Sequence, residues 1–164
     1  MMIKTFARQL GASTGLLIAL MATPPVWAQG GSINDAAVVT TEARNRALIL
    51  RFYYEFFNQH NINYADEVVR EDYIQHNPNL ATGREALKKF FQTYFSQSPQ
   101  SVSEIDHLAA EGDLVWVHTH QIPAPGQLGQ ATMDIYRIRD GKIAEHWDVV
   151  EPVPSTSANG NTMF

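Results

Sequence analysis

The sequence predicts an α+β fold: three helices from the N-terminal half pack over a curved antiparallel sheet from the second half, making a cone with an interior pocket. Three observations carry this. Before Pro99, apolar residues recur at spacings of three and four, the helical period; after it they alternate with a period of two. The Gly- and Pro-containing stretches at 123–129 and 140–141 cut the second half into strand-length runs. Asp140-Gly141 stands between two alternating runs, the strongest short hairpin signal.

Taken in order, the 164-residue chain opens with a basic start (Lys4, Arg8) and an apolar run over 10–22. Thr23-Pro24-Pro25 breaks that run, and Val26-Trp27-Ala28 puts small residues where a signal peptidase reads. Residues 1–28 therefore read as a secretory signal peptide. The run is short for a bilayer span, so an uncleaved membrane anchor is the lesser alternative. Residues 29–40 are small and polar, a flexible lead-in. A helix is expected over 41–57, capped by Thr40 or Thr41, with Glu42 suited to its first turn. Ala43, Ala47, Leu50, Tyr54 and Phe57 form its apolar stripe, widened by Phe52, Tyr53 and Phe56. A short second helix is expected over 63–69. Tyr73 to Pro78 is extended or turning, because proline biases Asn77 away from helix. Thr82-Gly83-Arg84-Glu85 has the capping-box pattern. It opens a third helix to about Ser96, with Leu87, Phe90, Phe91, Tyr94 and Phe95 on the buried side. Strands follow over 101–110, 113–122, 130–139 and 142–151. The domain spans 41–153, and 154–164 is a polar tail expected to fray.

Composition narrows the function classes. The formal net charge is −5, and removal of residues 1–28 takes away Lys4 and Arg8 but no acid, leaving ten basic against 17 acidic residues, or −7. That disfavours nucleic acid and anionic lipid as partners. There is no cysteine, hence no disulfide framework, thiol nucleophile or cysteine–zinc site. Export without disulfides suits a bacterial periplasm or secretion, with no membrane association after cleavage. A Gly-rich phosphate loop after a strand and a nucleophile-elbow serine are both missing.

The strands carry the candidate chemistry. Alternation puts His118 and His120 on one face with Trp116, and Asp134 on one face with Tyr136. With Asp140 and Gly141 as the loop, Ile138 faces Ile143, Tyr136 faces Glu145 and Asp134 faces Trp147. Centring the earlier hairpin on Gly126 pairs His118 with Asp134 and His120 with Thr132. Trp116, His118, His120, Asp134, Tyr136 and Trp147 then share the interior face. Met133, Ile135, His146 and Asp148 lie opposite, at the surface or a homodimer interface. A one-residue slip would invert a face.

Three stretches are familiar: Tyr73-Ile74-Gln75-His76-Asn77-Pro78, Gly83-Arg84-Glu85-Ala86-Leu87, and Asp134 through Asp148. They resemble the SnoaL-like proteins, the polyketide-cyclase-like branch of the nuclear transport factor 2-like α+β cone superfamily, across 41–153. The resemblance implies an interior-strand aspartate acting as general base on a carbon alpha to a carbonyl, with a histidine of the preceding strand beside it. Asp134 and His120 match those positions, and His118 falls on the same face. The resemblance implies no metal and no organic cofactor. The fold also hosts hydrolases, isomerases and pure binding modules, and polyketide cyclases are usually cytoplasmic, so the substrate is not carried over.

Asp134, His120 and His118 are thus the candidate catalytic residues. His76, Tyr73, Trp116, Tyr136, Trp147 and Glu145 are the candidate pocket residues. Alternatives stay open: two plain structural histidines, or two metal ligands with Asp134 or Glu145 as third; a core role for Tyr73; and a rim position for Glu145 paired to an arginine. The expected function is cofactor-free acid–base chemistry on a small hydrophobic carbonyl compound. The alternative is a periplasmic module that binds a small apolar ligand without turnover. An unpaired, pocket-facing Asp134 would favour the first.

Overall fold

The computed structural model describes residues 39–164; the predicted signal peptide and nearly all of the lead-in lie outside the described residues. Helix α1 runs Thr41–Phe52 and continues as a π-helical turn, Tyr53–Asn58; α2 is Tyr64–Val68 and α3 is Arg84–Gln97. The strands are β1 Val69–Gln75, β2 Val102–Glu111, β3 Leu114–Ile122, β4 Gln130–Arg139 and β5 Lys142–Pro152, in the order β1-β5-β4-β3-β2. The α+β class, the curved, unclosed sheet and the helices covering one face agree with the expectation. The sheet is not purely antiparallel. β1, of which only Tyr73–Gln75 fall in the stretch read as extended or turning, adds a fifth strand parallel to β5.

Thr40 caps α1, its hydroxyl accepting from the Ala43 amide at 3.1 Å. The buried stripe differs from the expected one. Leu50 and Tyr54 are exposed, and Asn45, Ile49, Phe52, Tyr53, Phe56 and Phe57 face the core. Asn45, Ile49, Phe52 and Phe56 recur at spacings of four, three and four, one face of a helix, and Tyr53 and Phe57 in the π turn widen that face. α3 starts without the expected capping box. Its N-cap is Gly83 at φ +104°, with no side-chain cap. The Thr82 hydroxyl instead accepts from the Gln75 amide at 3.3 Å. That bond and Gly83 N–H donating to the Tyr73 carbonyl at 2.8 Å anchor the loop to β1.

Two one-residue register differences reset the sheet. The β4–β5 turn forms as expected, with positive φ at Asp140 and Gly141 and Ile138 opposite Ile143. A bulge at Ala144 then sets Arg137 opposite Glu145 and Tyr136 opposite His146. The extra residue inverts the rest of β5. The β3–β4 loop closes from Ala124 to Gln127, its centre half a residue before Gly126. Val117 therefore faces Asp134, and His118 faces Met133. The helix-covered face carries Val115, Val117, Thr119, Asp134, Tyr136, Ile143 and His146. Trp116, His118, His120 and Trp147 lie on the outer face, against expectation. The tail folds back on that side, the Phe164 ring stacking on His120 at 4.1 Å. No helix among the described residues is long and apolar enough to cross a membrane.

Candidate active site

A cavity of about 160 Å³ opens between the helices and the concave face of the sheet. Its walls are aromatic, with Phe52, Phe57, Phe90, Phe91, Tyr94 and Phe95 contributed by α1, the π turn and α3. Its floor is polar and comes from three strands: Tyr73, Gln75 and the following Asn77 at β1, Asp134 and Tyr136 on β4, and His146 and Asp148 on β5.

Asp134 is the centre of the floor and is 3% exposed. Its Oδ1 lies 2.9 Å from His146 Nε2. Its Oδ2 accepts from the Tyr53 hydroxyl at 2.7 Å and, at a long 3.5 Å, from Thr119. The π turn therefore delivers Tyr53 directly to the buried carboxylate. The single hydroxyl proton of Tyr53 is committed there, so Tyr136, 3.2 Å from the Tyr53 oxygen, is the donor in that contact.

The proton on His146 is placed by its neighbours. Its Nδ1 is 3.0 Å from Gln75 Oε1. The Asn77 backbone N–H donates to that same Oε1 at 3.0 Å, which fixes it as the oxygen of the amide. Nδ1 must therefore carry a proton. The Nε2–Oδ1 contact then needs one more, held by the imidazole or by the carboxyl. Asp134 and His146 thus share one proton. The parallel pairing of β1 with β5, Gln75 beside His146, supplies this orientation. Gln75 Nε2 donates to the Tyr73 hydroxyl at 3.0 Å, which leaves the Tyr73 proton free to point at a ligand.

Burial, reinforced by the Asp134 carboxylate, pushes the Tyr53 and Tyr136 hydroxyls well above the ordinary tyrosine range. Burial, with Asp148 and Asp134 adding to it, raises Tyr73 as well. All three remain phenols. Asp148 lines the same floor, both its oxygens 2.8 Å from the Asn77 side-chain amide. One ligand atom each from Asp134, His146 and Asp148 lies within 4.8 Å of the others, so among the described residues these three could hold a metal ion.

The SnoaL-like domain family matches residues 50–146, more than half of the chain and all but one of the floor residues. The chain belongs to the SnoaL-like family. No curated protein matches it. Among solved structures, it is similar to TsrD from Streptomyces laurentii at 22% identity, covering 68% of this chain and 91% of that one with a TM-score of 0.58. It is also similar to IdmH from Streptomyces antibioticus, provisionally assigned as a polyketide cyclase, at 21% identity, 65% and 91% coverage and a TM-score of 0.55. AclR from Streptomyces galilaeus, provisionally assigned as a hydroxylase, is 20% identical over 68% and 91%, with a TM-score of 0.58. At these identities the likeness establishes the nuclear transport factor 2-like cone fold.

Against this SnoaL-like site the sequence-predicted residues divide. Asp134, Tyr136 and Tyr73 meet in the cavity. His118 and His120 do not: His118 Nδ1 lies 3.2 Å from His107 Nδ1, and His120 donates to the Leu128 carbonyl at 2.7 Å. Trp116 shares their outer face. Trp147 also points outward, its ring stacked on His76 at 4.4 Å. Glu145 joins them, pairing with Arg137 at 3.3 Å and Arg139 at 3.5 Å and lying 3.4 Å from His76. Sequence reasoning missed His146, Asp148, Gln75 and Asn77 as floor residues, and Tyr53, read as part of the apolar stripe, as a partner of Asp134. The Gln-His-Asn-Pro segment was a signal for Gln75 and Asn77, but the place of His76 just before the proline turn pointed to that residue instead. Nothing local marks the Ala144 bulge that brings in His146 and Asp148.

Proposed function

We propose that this SnoaL-like protein is a small-molecule acid–base catalyst acting on a carbonyl compound, with Asp134 as the base and His146 as its proton-sharing partner. The observation that carries the reading is the buried Asp134–His146 pair, 2.9 Å apart, at the polar end of an aromatic cavity. An ionised carboxylate has about four acceptor positions, and His146, Tyr53 and Thr119 use three. In the step proposed, Asp134 takes a proton from the carbon alpha to the carbonyl, and the C–H electron pair moves into an enolate. The free hydroxyl proton of Tyr73 is the donor suited to the enolate oxygen, since burial keeps it a phenol. The proton returns from Asp134 at carbon, or the enolate carbon attacks a second carbonyl of the same molecule and the alkoxide so formed takes the proton back from Asp134. No cofactor is required for either course.

The test is exchange of alpha-protons for deuterium in a panel of small neutral ketones. Wild-type protein should exchange at least one ketone, and Asp134→Asn should lose about 10²–10⁴-fold of that rate. Exchange at equal rates in both proteins overturns the reading. One observation favours the second reading, a non-catalytic binding module. Asp134 lines the cavity but is not unpaired, being held by both His146 and Tyr53. Binding of a ketone with no exchange above the Asn variant would select it.

Export to the periplasm or medium, cleavage before Gln29 and a homodimer are proposed on the same footing. The apolar outer face supports the dimer, with Met133 at 42% and Val149 at 74% exposed.

A further inference from the structure

The cavity is charged asymmetrically. Among the described residues that line it there is no lysine or arginine. Wherever their shared proton sits, Asp134 and His146 together are neutral. Asp148 is different. Its only polar partner among the described residues is the Asn77 amide, and no cationic side chain lies within ion-pair distance. The floor therefore keeps one uncompensated negative charge beneath aromatic walls. A carboxylate facing aromatic rings is the chemistry that holds an organic ammonium group, because ring faces attract cations and the carboxylate accepts the N–H bonds. The same charge opposes a carboxylate or phosphate ligand. The cavity, at about 160 Å³, is below the roughly 300–1,000 Å³ common for drug-sized ligands, which points to one ring or its equivalent.

We propose that the site is selective for compact amines: its ligand carries a protonated amine seated on Asp148 and an apolar body among Phe52, Phe57, Phe91 and Phe95. A metal ion is the competing cation, but the geometry favours the amine. His146 Nε2 already faces Asp134 Oδ1 across a shared proton, and an ion would have to break that contact, whereas an ammonium needs only Asp148. The inference rests on this cavity being the working site of the proposed catalyst, and adds that the carbonyl substrate is an amino-carbonyl compound.

The test compares three ligands of one shape: benzylamine, benzyl alcohol and benzoate, by calorimetry and melting temperature at neutral pH. Benzylamine should bind at least about tenfold more tightly than the alcohol, and benzoate should bind weakest. Asp148→Asn should remove the amine's advantage, and Asp148→Glu should retain it. Benzoate binding as tightly as benzylamine, or an amine preference that survives Asp148→Asn, overturns the inference. If the Asn variant does not fold, the order of the three ligands on the wild type decides alone. Zinc or manganese chloride raising the melting temperature more than benzylamine overturns it in favour of a metal at Asp134, His146 and Asp148. The deuterium-exchange assay separates the two proposals. No exchange in any neutral ketone with the ligand order intact removes the catalyst and keeps the amine site. Exchange with the order reversed does the opposite.

Discussion

Asp134 is a buried acid whose partners define what its replacement will do. Asparagine has nearly the same shape and can rotate its amide so that Nδ2 donates to a neutral His146 Nε2 and Oδ1 accepts from Tyr53. Every hydrogen bond of the floor is then remade without a basic carboxylate. Asp134→Asn should accordingly keep its fold and lose only the proton transfer, as a melting curve beside the exchange assay would show. His146→Ala is the contrasting case. It strands the Asp134 carboxylate in a buried site, and such a broken pair costs about 3–5 kcal/mol. Urea unfolding should show that loss; a variant as stable as wild type would mean that Asp134 is not charged against His146.

Each element matters here for where it aims a side chain. The π turn after α1 brings Tyr53 to Asp134, and the Ala144 bulge turns His146 and Asp148 inward. The β3–β4 loop has its own constraint at Gly129. This residue has φ +69°, and a Cβ there would collide with the Gln121 backbone carbonyl. Gly129→Ala should therefore destabilise by more than about 1 kcal/mol, measured by thermal or urea unfolding. Gly126, also at positive φ, has open space around it. Its alanine variant should lose less, since only the backbone conformation is penalised.

For the whole molecule, the buried phenols set the response to alkali. Tyr53, Tyr73 and Tyr136 have folded-state pKa values raised above the unfolded value of about 10. A group raised in this way keeps its contribution below the unfolded pKa and loses it as pH climbs above. Between the two values the folded state holds the proton and the unfolded chain does not. Stability should thus fall above about pH 10, by up to about 1.4 kcal/mol per pH unit for each such tyrosine. Tyrosinate absorbance should show these three ionising only as the protein unfolds. Tyr136→Phe should shallow the decline; an unchanged slope would mean that Tyr136 ionises in the folded state.

The α+β class, the three helices, four of the five strands, the Asp-Gly turn and the interior placement of Asp134 and Tyr136 were all legible in the sequence. These are local quantities: period, turn chemistry and capping residues act within a few positions of the chain. Tyr73 was legible from its segment, and so was the family, through the Gln-His-Asn-Pro stretch and the closing hairpin. Which histidine meets Asp134 depends on the register between strands, which no local signal carries. A strand has a period of two, so a half-residue shift in the β3–β4 loop centre and one extra residue at Ala144 exchange whole faces. His118, His120 and Trp147 leave the cavity by that arithmetic, and His146 and Asp148 enter it. The parallel β1–β5 pairing is also beyond local reading, because it joins Gln75 to a residue about seventy positions away. That pairing, through Gln75 and Asn77, is what orients the proton-sharing imidazole.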